Sequence, residues 1–155
     1  MIKTADIYDI QGHTIFCDDI RHEVGGKLTL VGIYTGLMYT TAEFPINLGK
    51  FCFHIRFYQR NAIFDPNLSI KIFLPGHPYD APSIDAELQP GAESQQSDDS
   101  SDYRMIGANL VFSPFTINAE GQIRVRVLRQ GILHRIGSLN VIKKPTPSTA
   151  SQPPS

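Results

Sequence analysis

The feature that most constrains the fold is an alternation with a period of two. Phe51, Phe53, Ile55 and Phe57 fall on one side of an extended chain, and Cys52, His54, Arg56 and Tyr58 on the other. A strand sorts such a run into an apolar face and a mixed face, whereas a helix would wrap it round the axis. Leu68, Ile70, Ile72 and Leu74 alternate in the same way with Ser69, Lys71 and Phe73, and Ile123, Val125 and Val127 with Arg124 and Arg126. Leu28 to Tyr34 is apolar on both faces, the pattern of a central strand covered on both sides.

Turn signals cut these runs at short intervals: Gly25-Gly26, Asp65-Pro66-Asn67, Pro75-Gly76, Glu120-Gly121 and Gln130-Gly131. The pattern predicts about eight strands, at 13–20, 27–34, 36–41, 50–59, 68–74, 104–112, 122–129 and 133–142. No ten-residue segment carries a helical stripe. Many short strands with Gly and Pro turns predict an all-β fold, a single antiparallel β-sandwich.

At 155 residues, with 41% hydrophobic and 19% charged side chains, the chain suits one domain with a real core. Two segments cannot contribute to it. Residues 85–102 and 143–155 hold almost no large apolar side chains and are expected to be a disordered acidic insertion and a disordered Pro/Ser-rich tail. The sandwich is expected within residues 1–142. The first residues lack the apolar stretch of a secretory signal, and no apolar run approaches the roughly 18 residues of a membrane span. A cytoplasmic protein without a membrane partner is the expectation. Cys17 and Cys52 lie inside apolar stretches and are expected to be buried free thiols in a reducing compartment.

The net charge of −1 hides an asymmetry. From Gln122 onward there is no acid, and six of the fourteen Lys and Arg residues lie there, leaving eight against all fifteen acids in residues 1–121. Arg124, Arg126, Arg129 and Arg135 are the candidate anion-binding or partner-binding residues of a C-terminal hairpin. Cationic side chains along a sheet face can track phosphates. Residues 122–142 contain no Phe, Tyr or Trp, the usual accompaniment in single-strand binders. The acids of 85–102 are expected to lie across this basic hairpin at low salt and lift away for an anionic partner.

A second candidate is the charged rim formed by Asp18, Asp19, Arg21, Glu23 and Lys27. Its carboxylates invite a divalent cation, which needs several oxygens converging on one point. Adjacent Asp residues in a strand point to opposite faces, so Asp18 and Asp19 are not expected to serve one ion unless a bulge or turn intervenes, and one of them is expected to lean inward and hydrogen-bond backbone or pair with Arg21. The five histidines form no zinc spacing, a Cys17–His54 pair lacks a third orienting group, and no nucleophile elbow or phosphate loop is present. Neither catalytic residues nor a cofactor or metal are predicted. Most aromatic residues sit at alternating core positions, with Tyr39, Phe44 and Tyr58 as candidates to face a partner.

The run Phe16-Cys17-Asp18-Asp19-Ile20-Arg21, then Glu23-Val24-Gly25-Gly26-Lys27, then an apolar strand to Tyr34, resembles a family of small uncharacterised bacterial and phage-borne proteins. The likeness covers 14–75 well and 104–142 more loosely, including Gly137-Ser138-Leu139. It implies a small all-β cytoplasmic protein and transfers no activity. The function expected is a non-enzymatic protein-binding or assembly module, with self-association through edge strands as a further route. The alternative is a nucleic-acid or anionic-ligand binder using the arginine-rich hairpin. A hydrolase or metal-dependent enzyme at the Asp18–Glu23 rim is a third reading.

Overall fold

The computed structural model describes residues 10–88, 94–95 and 102–147. Its strands are β1 (Ile10–His22), β2 (Leu28–Tyr34), β3 (Leu37–Thr40), β4 (Ile46–Leu48), β5 (Phe51–Arg60), β6 (Ser69–Phe73), β7 (Ile84–Glu87), β8 (Ser94–Gln95), β9 (Tyr103–Phe112), β10 (Phe115–Ile117), β11 (Gly121–Arg129) and β12 (Ile132–Lys143). The one helical element described is a single 3-10 turn, Asn61–Ile63. Among the described residues no helix is long and apolar enough to cross a membrane.

The protein is an all-β sandwich. One sheet runs β2-β1-β5-β9-β8, the other β3-β12-β11-β6-β7, and a two-stranded ribbon joins β10 to β4. So β2 is an edge strand with Ile33 exposed and not the covered central strand its apolar run predicts. All described pairings are antiparallel except that β3 runs parallel to β12, so the second sheet is mixed where a purely antiparallel sandwich was expected.

The alternation in β5 builds the interior. Phe51, Phe53, Ile55 and Phe57 point between the sheets and meet Ile70, Ile72, Ile123, Val125, Val127 and Leu139 from the other side, all fully buried. Phe16, Phe51, Phe53, Phe112 and Phe115 form a ring cluster at the end where β5 begins, with Phe51 and Phe115 stacked at 4.9 Å. The β4–β10 ribbon delivers Phe115 to that end. Edge and offset contacts of this kind add about 0.5–1.5 kcal/mol per pair beyond area burial.

Where the two sheets touch, β12 carries an extra residue. Arg124 pairs with Ser138 and Val125 with Gly137, but Arg126 pairs with Arg135, which leaves Ile136 as a bulge. The bulge turns the backbone of β12 toward β1, and the Thr14 hydroxyl donates to the Ile136 carbonyl at 2.8 Å. Gly137 sits at φ 149°, and a Cβ there would lie 2.7 Å from the Thr14 Cβ. Only glycine fits this approach.

Four strands lie outside the predicted eight: β4, β7, β8 and β10. Each has two to four residues, too few to show a period. Of the expected insertion, Asp85 to Glu87 belongs to β7, paired along β6, and β8 pairs with β9. Residues 89–93 and 96–101 lie outside the described residues, as do 148–155 of the expected tail. The last strand continues one residue past the expected boundary, to Lys143.

Candidate functional site

The side chains of β11 divide cleanly. Ile123, Val125 and Val127 turn inward and are fully buried, which sends Arg124 and Arg126 to the outer face. On one flank Arg126 pairs with Lys71 of β6, and on the other with Arg135 of β12. The row continues to Asp85 of β7, opposite Lys71. Adjacent strands lie about 4.8 Å apart, so three cationic residues stand side by side across roughly 10 Å of sheet. The bulge at Ile136 is what brings Arg135 opposite Arg126.

Like charges directly opposite each other in a sheet repel. Burial is the main cause holding the Arg126 guanidinium below its ordinary value, and the charges of Arg124 and Arg135 press it the same way. Arg126 is steadied by backbone, donating from Nη1 to the carbonyls of Val125 at 2.9 Å and Gly137 at 3.4 Å. Among the described residues none of Arg124, Arg126 and Arg135 has an acidic partner, and only Lys71 does, through Asp85.

Aromatic side chains reach this face from elsewhere in the sequence. Phe73 lies opposite Arg124 in the ladder, and Tyr79 comes from the loop after β6. The Arg124 guanidinium sits 4.6 Å from the centre of the Phe73 ring and 3.8 Å from that of Tyr79, and it donates to the Tyr79 carbonyl. Tyr79 itself is 73% exposed. Cation–π contacts of this type are worth about 0.5–1 kcal/mol at exposed sites and fix the guanidinium in place.

Arg129 does not join the other three arginines. It follows Val127 in the inward register and is buried, and its Nη2 donates to the Ile63 carbonyl at 2.6 Å, the same oxygen that accepts from Gln59 at 3.3 Å. It ties the 3-10 turn to β11.

The charged rim also separates. Asp18 accepts the Tyr34 hydroxyl at 2.8 Å, while Asp19 pairs with Lys50 at 2.9 Å and with Arg21 at 3.4 Å. The two carboxylates therefore serve different partners, as strand geometry predicts. Burial and then Asp18 push the Tyr34 phenol up to about 12. The hydrogen bond from Lys50 holds Asp19 below the usual carboxylate range. Glu23 and Lys27 belong to the hairpin loop between β1 and β2, closed by the Glu23 amide donating to the Lys27 carbonyl at 2.8 Å, with Gly25 and Gly26 at positive φ. Among the described residues no group of three His, Cys, Asp or Glu is arranged to hold a metal ion.

Cys17 and Cys52 pair directly across β1 and β5 and are free and fully buried. They lie on the outer face of the first sheet, sealed there by Ile20, Leu28 and Leu30 of the β1–β2 hairpin. Burial, and then the proximity of Cys52, pushes the Cys17 thiol up to about 11. Such a thiol is a packing group, not a nucleophile.

Lys71, Phe73 and Tyr79 were not among the predicted site residues. The alternation of Ser69, Lys71 and Phe73 already marks an outward-facing row; the missing knowledge is that β6 lies beside β11, a long-range pairing that leaves no local trace.

A family model described as a family of unknown function (DUF6941) matches residues 13–142, and the chain belongs to that family. No curated protein and no solved structure matches the chain.

Proposed function

We propose that this protein is a non-enzymatic binding module that holds an acidic segment of a partner protein across the outer face of its second sheet. The observation that carries the reading is the row of Lys71, Arg126 and Arg135, with Arg124 beside it. Together they form an array of donors with one counter-charge among the described residues. A carboxylate-bearing segment relieves the repulsion within the row as it binds. Charge-assisted hydrogen bonds to arginine are short and directional. The array is small, and the chain as a whole carries a net charge of −1, which suits a short acidic peptide better than the long anionic track of a nucleic acid. Two buried free thiols fit a reducing compartment such as the cytoplasm. The outer edges of β2, β3 and β7 offer backbone for a second copy or a partner strand.

Tyr79 supports a second reading, a single-stranded nucleic acid, because an exposed ring over an arginine is a surface on which a base can stack. Fluorescence anisotropy with a labelled glutamate-rich peptide and a labelled oligonucleotide, each over a salt series, separates the two. Peptide binding that weakens with salt is the expected result. Oligonucleotide binding without peptide binding favours the second reading, and no binding of either at low salt removes both.

A further inference from the structure

The opposite outer face, on the first sheet, holds a concavity of about 390 Å³ between the sheet and the overhanging β1–β2 hairpin. That volume lies within the range of small-molecule sites. His54, Arg56 and Asn109 form its floor on β5 and β9, and His22 and Lys27 its wall on the hairpin. We propose that this concavity binds a small organic anion through a terminal carboxylate or phosphate group, with Arg56 as the anchor.

The hydrogen-bond chain on the floor fixes each donor. Arg56 Nε can only donate, and it lies 3.0 Å from His54 Nε2, so that nitrogen is the acceptor. His54 Nδ1 then carries the proton and donates to Asn109 Oδ1 at 2.6 Å. Asn109 thus spends its oxygen on His54 and keeps its amide N–H groups for a ligand. Arg56 has one further contact, from Nη1 to the weakly accepting Met105 sulfur at 3.5 Å, and no carboxylate partner among the described residues. A guanidinium aimed in this way, without a counter-charge, is complementary to an oxyanion. Lys27 adds a second positive charge from the wall. Among the described residues the one acid in the lining, Glu23, sits in the exposed hairpin loop. Leu28 and Met105 give the space an apolar side, which suits an organic body over a bare ion.

Gly107 makes the space. It pairs with Arg56, and a Cβ there would meet only the Ile55 carbonyl oxygen, at 3.7 Å, an ordinary contact. The backbone does not require glycine at this position, so Gly107→Val fills the concavity without disturbing the sheet.

The test is a ¹⁵N–¹H NMR titration of the whole chain with phenyl phosphate, benzoate and inorganic phosphate, read at the amides of Gly26, Lys27, Gly107 and Asn109. Saturable shifts at these amides with phenyl phosphate or benzoate are expected, and the one that binds more tightly identifies the head group. Arg56→Gln and Gly107→Val are each expected to weaken binding at least about tenfold, the scale of one charge-assisted hydrogen bond. Arg126→Gln, on the other sheet, is expected to leave it unchanged. Absence of shifts with all three probes overturns the proposal. So do shifts that persist in Gly107→Val, or shifts that map to Arg124 and Arg126 instead. Because Gly107→Val leaves the second sheet intact, its outcome is independent of the acidic-peptide reading.

Discussion

The two outer faces of this sandwich arise from the same alternation and end as opposites. On the first sheet the β1–β2 hairpin folds over the face, burying Cys17 and Cys52 and leaving a walled concavity beside His54 and Arg56. On the second sheet the loop after β6 lays one ring over Arg124, and Arg135 stays exposed in its row of like charges. On the first face His54, Arg56 and Asn109 are tied to one another; on the second, Arg124 and Arg135 repel Arg126. The difference teaches that a face of a sheet acquires its chemistry from what is placed over it as much as from its own residues.

The strongest way to break the comparison is at the bulge that serves both sheets. Gly137→Val meets Thr14 and a φ that side chains disfavour, and is expected to cost about 1–3 kcal/mol in urea denaturation. It should also move Arg135 out of register with Arg126 and so weaken acidic-peptide binding. Wild-type stability in this variant would show that the bulge does not bind the sheets together.

Next in size is a contrast between buried and exposed positions. Cys52→Ala removes the sulfur from the sealed cluster and leaves a small void, and is expected to destabilise by about 1–2 kcal/mol. Arg126→Gln removes one of the repelling charges and is expected to leave stability within about 0.5 kcal/mol while weakening peptide binding. The thiols sharpen the same contrast. With Cys17 pushed up to about 11 and both sulfurs buried, alkylation by iodoacetamide at pH 8 is expected only after denaturation. Rapid labelling of the native protein would show that the hairpin does not seal that face.

The smallest effect concerns Asp19. Its carboxyl is held below the usual range by Lys50, so the pair contributes stability above the unfolded carboxyl's pKa, and that contribution is lost as pH falls through the lower folded value. Because the pair is solvent-exposed, Asp19→Asn is expected to change the melting temperature little at neutral pH and to flatten its acid limb slightly.

The strands that build the core were legible in the sequence because Phe51 to Tyr58 and Ile123 to Val127 each declare a buried face through their own neighbours. The hairpin turn at Gly25-Gly26 was legible for the same reason. Arg129 was not, since its inward alternation with Val127 competes with the expectation that arginine faces water, and only the Ile63 carbonyl explains its burial. The joining of Lys71 and Tyr79 to the arginines, and of His54 and Asn109 to the hairpin wall, depends on strand order and on a one-residue bulge. Neither is encoded within a window of ten residues. The short β4 and β10 escape for a simpler reason: three residues cannot display a period.

The central claim is that Arg124, Arg126 and Arg135 act together and that Arg129 does not. The most direct measurement is the affinity of a glutamate-rich peptide for the wild type and for the Arg124→Gln/Arg126→Gln/Arg135→Gln variant at low salt. Three exposed pairs at about 0.5–1 kcal/mol each predict a loss of roughly tenfold or more, with the variant still folded. Equal affinity in the two proteins would contradict the account.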